Sequence, residues 1–171
     1  MDTGSVALLG AVAGVLGAAV GGGCAIGAAA LTGRKQAAAQ HSHWRRQLRR
    51  DAYASLLSCA LKKTGEIDKV QTALLRGSLD RATEALPPAL KLEALHEACN
   101  LVALEGPQEA SRAAGELLTA ISGRVPLLLL AVEQGSLGGE DDLLSFECEQ
   151  RRREASEALE AFKVLAQRLL D

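Results

Sequence analysis

The sequence predicts an all-α protein: a single N-terminal transmembrane helix followed by a cytoplasmic antiparallel bundle of four or five helices. Three observations carry that expectation. Residues Ser5 to Leu31, SVALLGAVAGVLGAAVGGGCAIGAAAL, hold no charge, and none occurs anywhere between Asp2 and Arg34. From Trp44 onward apolar residues return every three or four positions, the period of a helix face, and nowhere alternate as in a half-buried strand. Aromatics are 2% of the chain, namely Trp44, Tyr53, Phe146 and Phe162, so a core must be built from Leu, Ala and Val. The expected organisation is an anchor over 1–33, a basic juxtamembrane start of the first amphipathic helix over 34–50, and a helical bundle over 51–171.

The anchor comes first. A hydrocarbon core needs about 20 apolar residues, and the 27 from Ser5 to Leu31 would reach about 40 Å as a helix. Secretory signals open on a positive segment and carry a shorter apolar run, whereas Met1 to Gly4 has no Lys or Arg, so the segment is expected to be retained. Cys24 is preceded by Val20-Gly21-Gly22-Gly23, without the leucine usual three before a lipoprotein cysteine. Gly10, Gly14, Gly17 and Gly21 recur at spacings of 4, 3 and 4 and so share one helix face. Bare backbone on one face lets membrane helices approach closely, and these glycines are the expected helix-association surface. Arg34, Lys35, Arg45, Arg46, Arg49 and Arg50 follow without an intervening acid. By the positive-inside rule they hold the bundle in the cytoplasm and the N-terminus outside, across an inner membrane.

The helices follow in order. Trp44, Leu48, Ala52, Leu56 and Cys59 form a stripe that predicts a helix from about Ala37 to Lys62, ended by Thr64-Gly65. Its other sides carry Arg45, Arg46, Arg49 and Arg50, the expected contacts for lipid headgroups or an acidic partner. A second helix is expected from Glu66 to Leu86, irregular near Arg76 and stopped by Pro87-Pro88. A third, Ala89 to Glu105, presents Leu92, Leu95, Cys99 and Val102. Gly106-Pro107 ends it and starts a fourth, with Ala110, Ala113, Ala114, Leu117, Leu118 and Ile121 inward. Gly123 and Pro126 are expected to bend or end that helix. The run Pro126 to Val132 is too short to span a bilayer and reads as a buried turn or two. Gln134 to Asp142, QGSLGGEDD, is loop-like, with Asp141 or Asp142 as a cap for a last helix. That helix runs to about Leu170, with Ala155, Leu159, Phe162, Ala166 and Leu169 on one face.

Chemistry is thinly represented. The net charge of -2 carries none of the basic excess of nucleic-acid binders. Four cysteines, Cys24, Cys59, Cys99 and Cys148, lie far apart with no CxxC pair, and read as small buried hydrophobes. His96 and Cys99, three apart, have a metal-ligand spacing, with His41, His43 or Cys148 as remote partners, yet Cys99 falls on the apolar stripe. The pairs Glu97/Glu105 and Glu154/Glu157 read as solvated helix faces rather than acid/base dyads. No Walker loop, GxGxxG or HExxH occurs. The expectation is therefore no enzyme, no cofactor and no metal site.

From Trp44 to the end the chain resembles a group of uncharacterised helical proteins from Streptomyces and related actinobacteria. The likeness rests on a first-helix pattern W-x(n)-R-x-x-A-Y-x-x-F/L-L, matched by Trp44, Arg49, Ala52, Tyr53, Leu56 and Leu57. A central V-x-L-x-G-P is matched by Val102, Leu104, Gly106 and Pro107, and a charged last helix contains FECEQRRREASEALEAF. Leu56-Leu57 departs from the group, where an aromatic is frequent. The resemblance implies a helical fold, cytosolic or attached to one span, and no activity. The function expected on all these grounds is a membrane-anchored interaction or scaffold protein that binds itself or a protein partner. The alternative is a membrane-perturbing effector or an accessory of plasmid transfer or host defence.

Overall fold

The computed structural model describes residues 43–135, 137 and 143–171. The uncharged segment with Gly10, Gly14, Gly17 and Gly21, and the capping acids Asp141 and Asp142, lie outside the described residues. Among the described residues all regular structure is helical. The helices are α1 (43–75), α2 (Leu79–Leu90), α3 (Glu93–Glu105), α4 (Gln108–Ser122), α5 (Arg124–Gln134) and α6 (Leu143–Leu170).

Helix α1 runs straight through Thr64-Gly65, where the sequence predicts a stop. Glycine in a helix interior costs about 1 kcal/mol. Against that stands a stripe at alternating spacings of 3 and 4: Tyr53, Leu56, Ala60, Lys63, Ile67, Val70 and Leu74, all buried. Burying an Ile, Val or Leu side chain returns about 1.5–3 kcal/mol each, so the stripe prevails. The chain turns instead at Gly77, whose φ of +67° suits glycine, and Ser78 N–H closes the turn on Ala73 O at 2.9 Å.

Pro87-Pro88 is a second departure, because α2 continues through both to Leu90. The prolines deprive the carbonyls of Thr83 and Glu84 of their helical donors, but both residues are exposed, where solvent can replace the lost donor. The carbonyl of Pro88 accepts from Lys63 Nζ at 2.6 Å, which ties the end of α2 to the middle of α1. Leu92 then precedes α3, so that helix starts at Glu93 rather than Ala89.

Gly106 separates α3 from α4 in extended conformation, and Pro107 opens α4, as the Gly-Pro pair predicts. Gly123 keeps helical angles, φ -62° and ψ -15°, so α4 passes into α5 with little change of course. Pro126 falls in the first turn of α5, where no N–H is required. Taken together, Gln108–Gln134 is 27 residues, long and apolar enough by length and composition to cross a membrane. In this fold it carries Ala110, Ala114, Leu117, Ile121, Leu128 and Ala131 into the protein core. Gly135, at φ +78°, ends α5 in the left-handed conformation.

Side-chain contacts give the helix directions. Tyr53 meets Phe162 and Asp68 meets Arg152, so α1 and α6 are antiparallel. Arg168 pairs with Glu109 at 2.7 Å, which places the start of α4 beside the end of α6. Arg49 reaches Glu105 O while Asp68 reaches Arg124, so α1 and α4 run the same way. The short Gly106-Pro107 link and the contact of Cys99 with Ala114 O fold α3 back along α4, so the helical bundle has α1 and α4 in one sense and α3 and α6 in the other.

Candidate functional site

The stripe on α1 leaves a second strip of that helix uncovered, and this strip forms one wall of a groove. Ala54, Leu57 and Leu61 from α1 face Leu159, Ala166 and Leu170 from α6 across a cavity of about 420 Å³. The two alanines hold the space open, and Leu61 is 59% exposed at its rim. One end is marked by Arg50, exposed and without an ion-pair partner among the described residues. Lys163 and Glu160 pair at 3.3 Å on the α6 side. From Arg50 to Leu61 a helix rises about 16 Å, room for three turns of a second helix.

Of the four arginines expected to contact headgroups or an acidic partner, Arg45, Arg46 and Arg50 are exposed. Arg49 is half-buried and donates from Nε to Glu105 O at 3.1 Å, which fills an open carbonyl at the end of α3. It is a structural tie within the bundle as well as a charge. Trp44 is 58% exposed. Leu48 is partly covered and Cys59 likewise, so of the expected stripe only Ala52 and Leu56 are fully buried.

Below the groove Tyr53 lies 1% exposed, its ring edge-on to Phe162 at 5.9 Å and 87°. Such a pair adds about 0.5–1.5 kcal/mol beyond burial. The Tyr53 hydroxyl is buried without a protein partner. Burial raises its pKa, the Arg49 charge opposes that rise and Glu109 adds to it. The hydroxyl is packed against the α3–α4 junction, where a β-carbon on Gly106 would stand 3.1 Å from it and 2.8 Å from Val102 O.

The residues with metal-ligand spacing are not brought together. His96 is exposed, its Nδ1 2.9 Å from Leu92 O, whereas Cys99 is buried and donates to Ala114 O at 3.5 Å. No group of three or more His, Cys, Asp or Glu among the described residues is placed to hold a metal. Burial, with the nearby Cys59, pushes the Cys99 thiol up to about 11, which suppresses the thiolate needed for nucleophilic attack. Glu154 is held by Arg151 at 3.1 Å and by Gln150, a solvated face as its spacing suggests.

Sequence reasoning missed the buried polar groups. Arg124 is 2% exposed and donates to Asp68 Oδ1 at 2.6 Å and Gln71 Oε1 at 2.9 Å. Lys63 is 8% exposed and donates to Glu66 and Pro88 O. The available signal was positional: Lys63 occupies a stripe position of α1, and Arg124 stands alone beside an apolar run.

No family model, curated protein or solved structure matches this chain.

Proposed function

We propose that the protein is a membrane-anchored interaction module whose α1/α6 groove receives an amphipathic helix of a protein partner. The observation that carries this reading is the groove itself: an uncovered apolar trough, three helical turns long, with the Arg50 cation, unpaired among the described residues, at one end. Its fit is a helix bearing an apolar stripe and an acid placed against Arg50. The uncharged segment Ser5 to Leu31 supplies the anchor in this reading, and Arg34 to Arg50 orient it with the bundle in the cytoplasm. Gly10, Gly14, Gly17 and Gly21 are then the face on which anchors associate.

A photo-crosslinker at Leu61 of the full chain in its membrane tests the groove, with one at Leu104, 81% exposed on α3, as the control. The reading expects adducts at Leu61 that map to a partner helix with an acid opposite Arg50 and that vanish on Leu57→Glu. Equal yields at Leu61 and Leu104, or adducts to lipid alone, overturn it. Carbonate extraction tests the anchor: the full chain stays with the membrane pellet, and release into the supernatant refutes anchoring.

A second reading, the membrane-perturbing effector, draws on Gln108–Gln134, whose length and apolar composition suffice for a span. It requires that segment to leave the core and to take Arg124 from Asp68 into lipid. A membrane-potential dye separates the two, since a scaffold leaves the potential intact.

A further inference from the structure

We propose that the cleft between the second half of α1 and α2 binds a phosphate group. The cleft encloses about 410 Å³, and Asp68, Lys69, Thr72 and Arg76 of the α1 side face Ser78 and Arg81 across it. Lys69, Thr72 and Arg76 stand at i, i+3 and i+7, on one side of α1 and its closing turn, and all three line the cleft. Gly77, at φ +67°, fixes the turn that brings Ser78 and Arg81 back alongside them.

The state of these charges points to an anion. Arg151, Arg152, Arg153, Lys163 and Arg168, all the cations of α6, are held in ion pairs. Lys69, Arg76 and Arg81 share one cleft, and none has an ion-pair partner among the described residues. Asp68, the one acid of the lining, is committed to Arg124 at 2.6 Å and to Arg152 at 3.7 Å, so it does not neutralise them. The hydroxyl of Ser78 makes no capping hydrogen bond, and that of Thr72 has no hydrogen-bond partner among the described residues. All three cations are exposed and line the same cleft, so each is available to an anion entering it.

The cleft also orders its ligand. Towards Pro88 a neighbouring cavity adds Glu66 and Glu84 beside Lys69 and Arg81, which balances charge there. Towards Arg76 no further acid among the described residues lines the cleft, and the Ser78 and Thr72 hydroxyls lie in it. Three cations and two hydroxyl donors match the several oxygens and double charge of a phosphate monoester better than the two oxygens of a carboxylate. A phosphate fills a small part of the volume, leaving space for the group it esterifies. That group is either a soluble metabolite or a lipid headgroup. The inference stands apart from the α1/α6 groove, and its test relies on the proposed anchor only to hold the chain in a lipid disc.

The test uses the full chain in phosphatidylcholine nanodiscs. Radiolabelled glycerol phosphate is titrated in one arm, and discs containing phosphatidic acid replace the free ester in the other. Saturable binding in either arm is expected, and the arm that shows it identifies the source. Arg76→Gln weakens that binding about tenfold, the effect of losing one hydrogen bond to a charged group. Lys91→Gln, at an exposed cation outside the cleft, leaves it unchanged. A thermal melt of Arg76→Gln matching the parent excludes loss by misfolding, and Lys69→Gln serves if it does not match. Absence of saturable binding in both arms, or equal losses for Arg76→Gln and Lys91→Gln, overturns the proposal.

Discussion

The two halves of α1 are buried by different chemistry, although one apolar stripe runs through both. From Ala52 to Ala60 the helix meets α6 with Tyr53, Leu56 and the edge-on ring of Phe162, and the contact is almost wholly apolar. From Lys63 to Leu74 the same stripe carries Lys63 and Gln71, and Asp68 beside it binds the buried Arg124 of α5. Apolar packing is non-directional, so the first half supplies stability without fixing register. Buried charges are stable only with their partners in place, so the second half favours one arrangement of α1, α2 and α5 over neighbouring registers.

The largest effect should come from the apolar half. Phe162→Ala removes a ring that is 1% exposed and strips Tyr53 of its edge-to-face partner. The expected cost is about 3–5 kcal/mol in chemical denaturation followed by circular dichroism. A loss below about 1 kcal/mol would mean that the site collapses around the gap and that the apolar half is no keystone.

The charged half should be nearly as sensitive, but in a way that can be undone. Asp68→Ala leaves Arg124 buried with only Gln71 as a partner, and costs about 3 kcal/mol. Combining Asp68→Leu with Arg124→Met removes both charges and should restore most of that stability. A double variant as weak as Asp68→Ala would show that the pair stabilises the fold outright, and the contrast between the halves would be one of degree.

Two glycines sharpen the comparison at smaller scale, with opposite signs. At Gly106, beside the apolar half, an added β-carbon meets the backbone oxygen of Val102 at 2.8 Å and Tyr53 Oη at 3.1 Å. Gly106→Ala should therefore lower stability by about 1–3 kcal/mol. Gly65, in the charged half, has open space around it and lies inside a helix. Gly65→Ala should raise stability by about 0.5–1 kcal/mol, read as a higher melting temperature.

These contrasts explain what the sequence made legible. Periodicity placed the core faces of α3, α4 and α6 well, because Leu95, Cys99, Val102, Leu117, Ile121, Phe162 and Ala166 follow a helical repeat and are all buried. Local breakers misled where tertiary packing outweighed them: Gly65 within α1, and Pro87-Pro88 at the exposed end of α2. The α1/α6 groove was not legible, since it is a gap between residues some hundred positions apart rather than a pattern in either. Of its lining, the sequence singled out Arg50 for charge and Leu159 and Ala166 for an apolar face, but none of them for its place in a groove. The cleft over Arg76 was equally hidden, since treating 66–86 as one irregular helix dissolves the turn that makes it.

The smallest effect concerns protons, and it separates the halves by pH. Among the described residues the two groups with raised values are Tyr53, in the apolar half of α1, and Cys99 of α3, near Cys59 of that half, each shifted first by burial. Each is neutral when protonated, so a raised value means that the folded protein holds the proton more tightly than the unfolded chain. For Cys99 the stabilisation is intact below its ordinary value of 9.0 and is lost as pH climbs through about 11. The melting temperature of the parent should therefore fall between pH 9 and 11. Cys99→Ala keeps a small apolar side chain, loses the hydrogen bond to Ala114 O and cannot ionise. It should start somewhat lower and fall less steeply over that window, with Tyr53 accounting for the remaining slope. Parallel slopes for the two proteins would show that alkaline loss comes from elsewhere, and Cys99 would then count as packing alone.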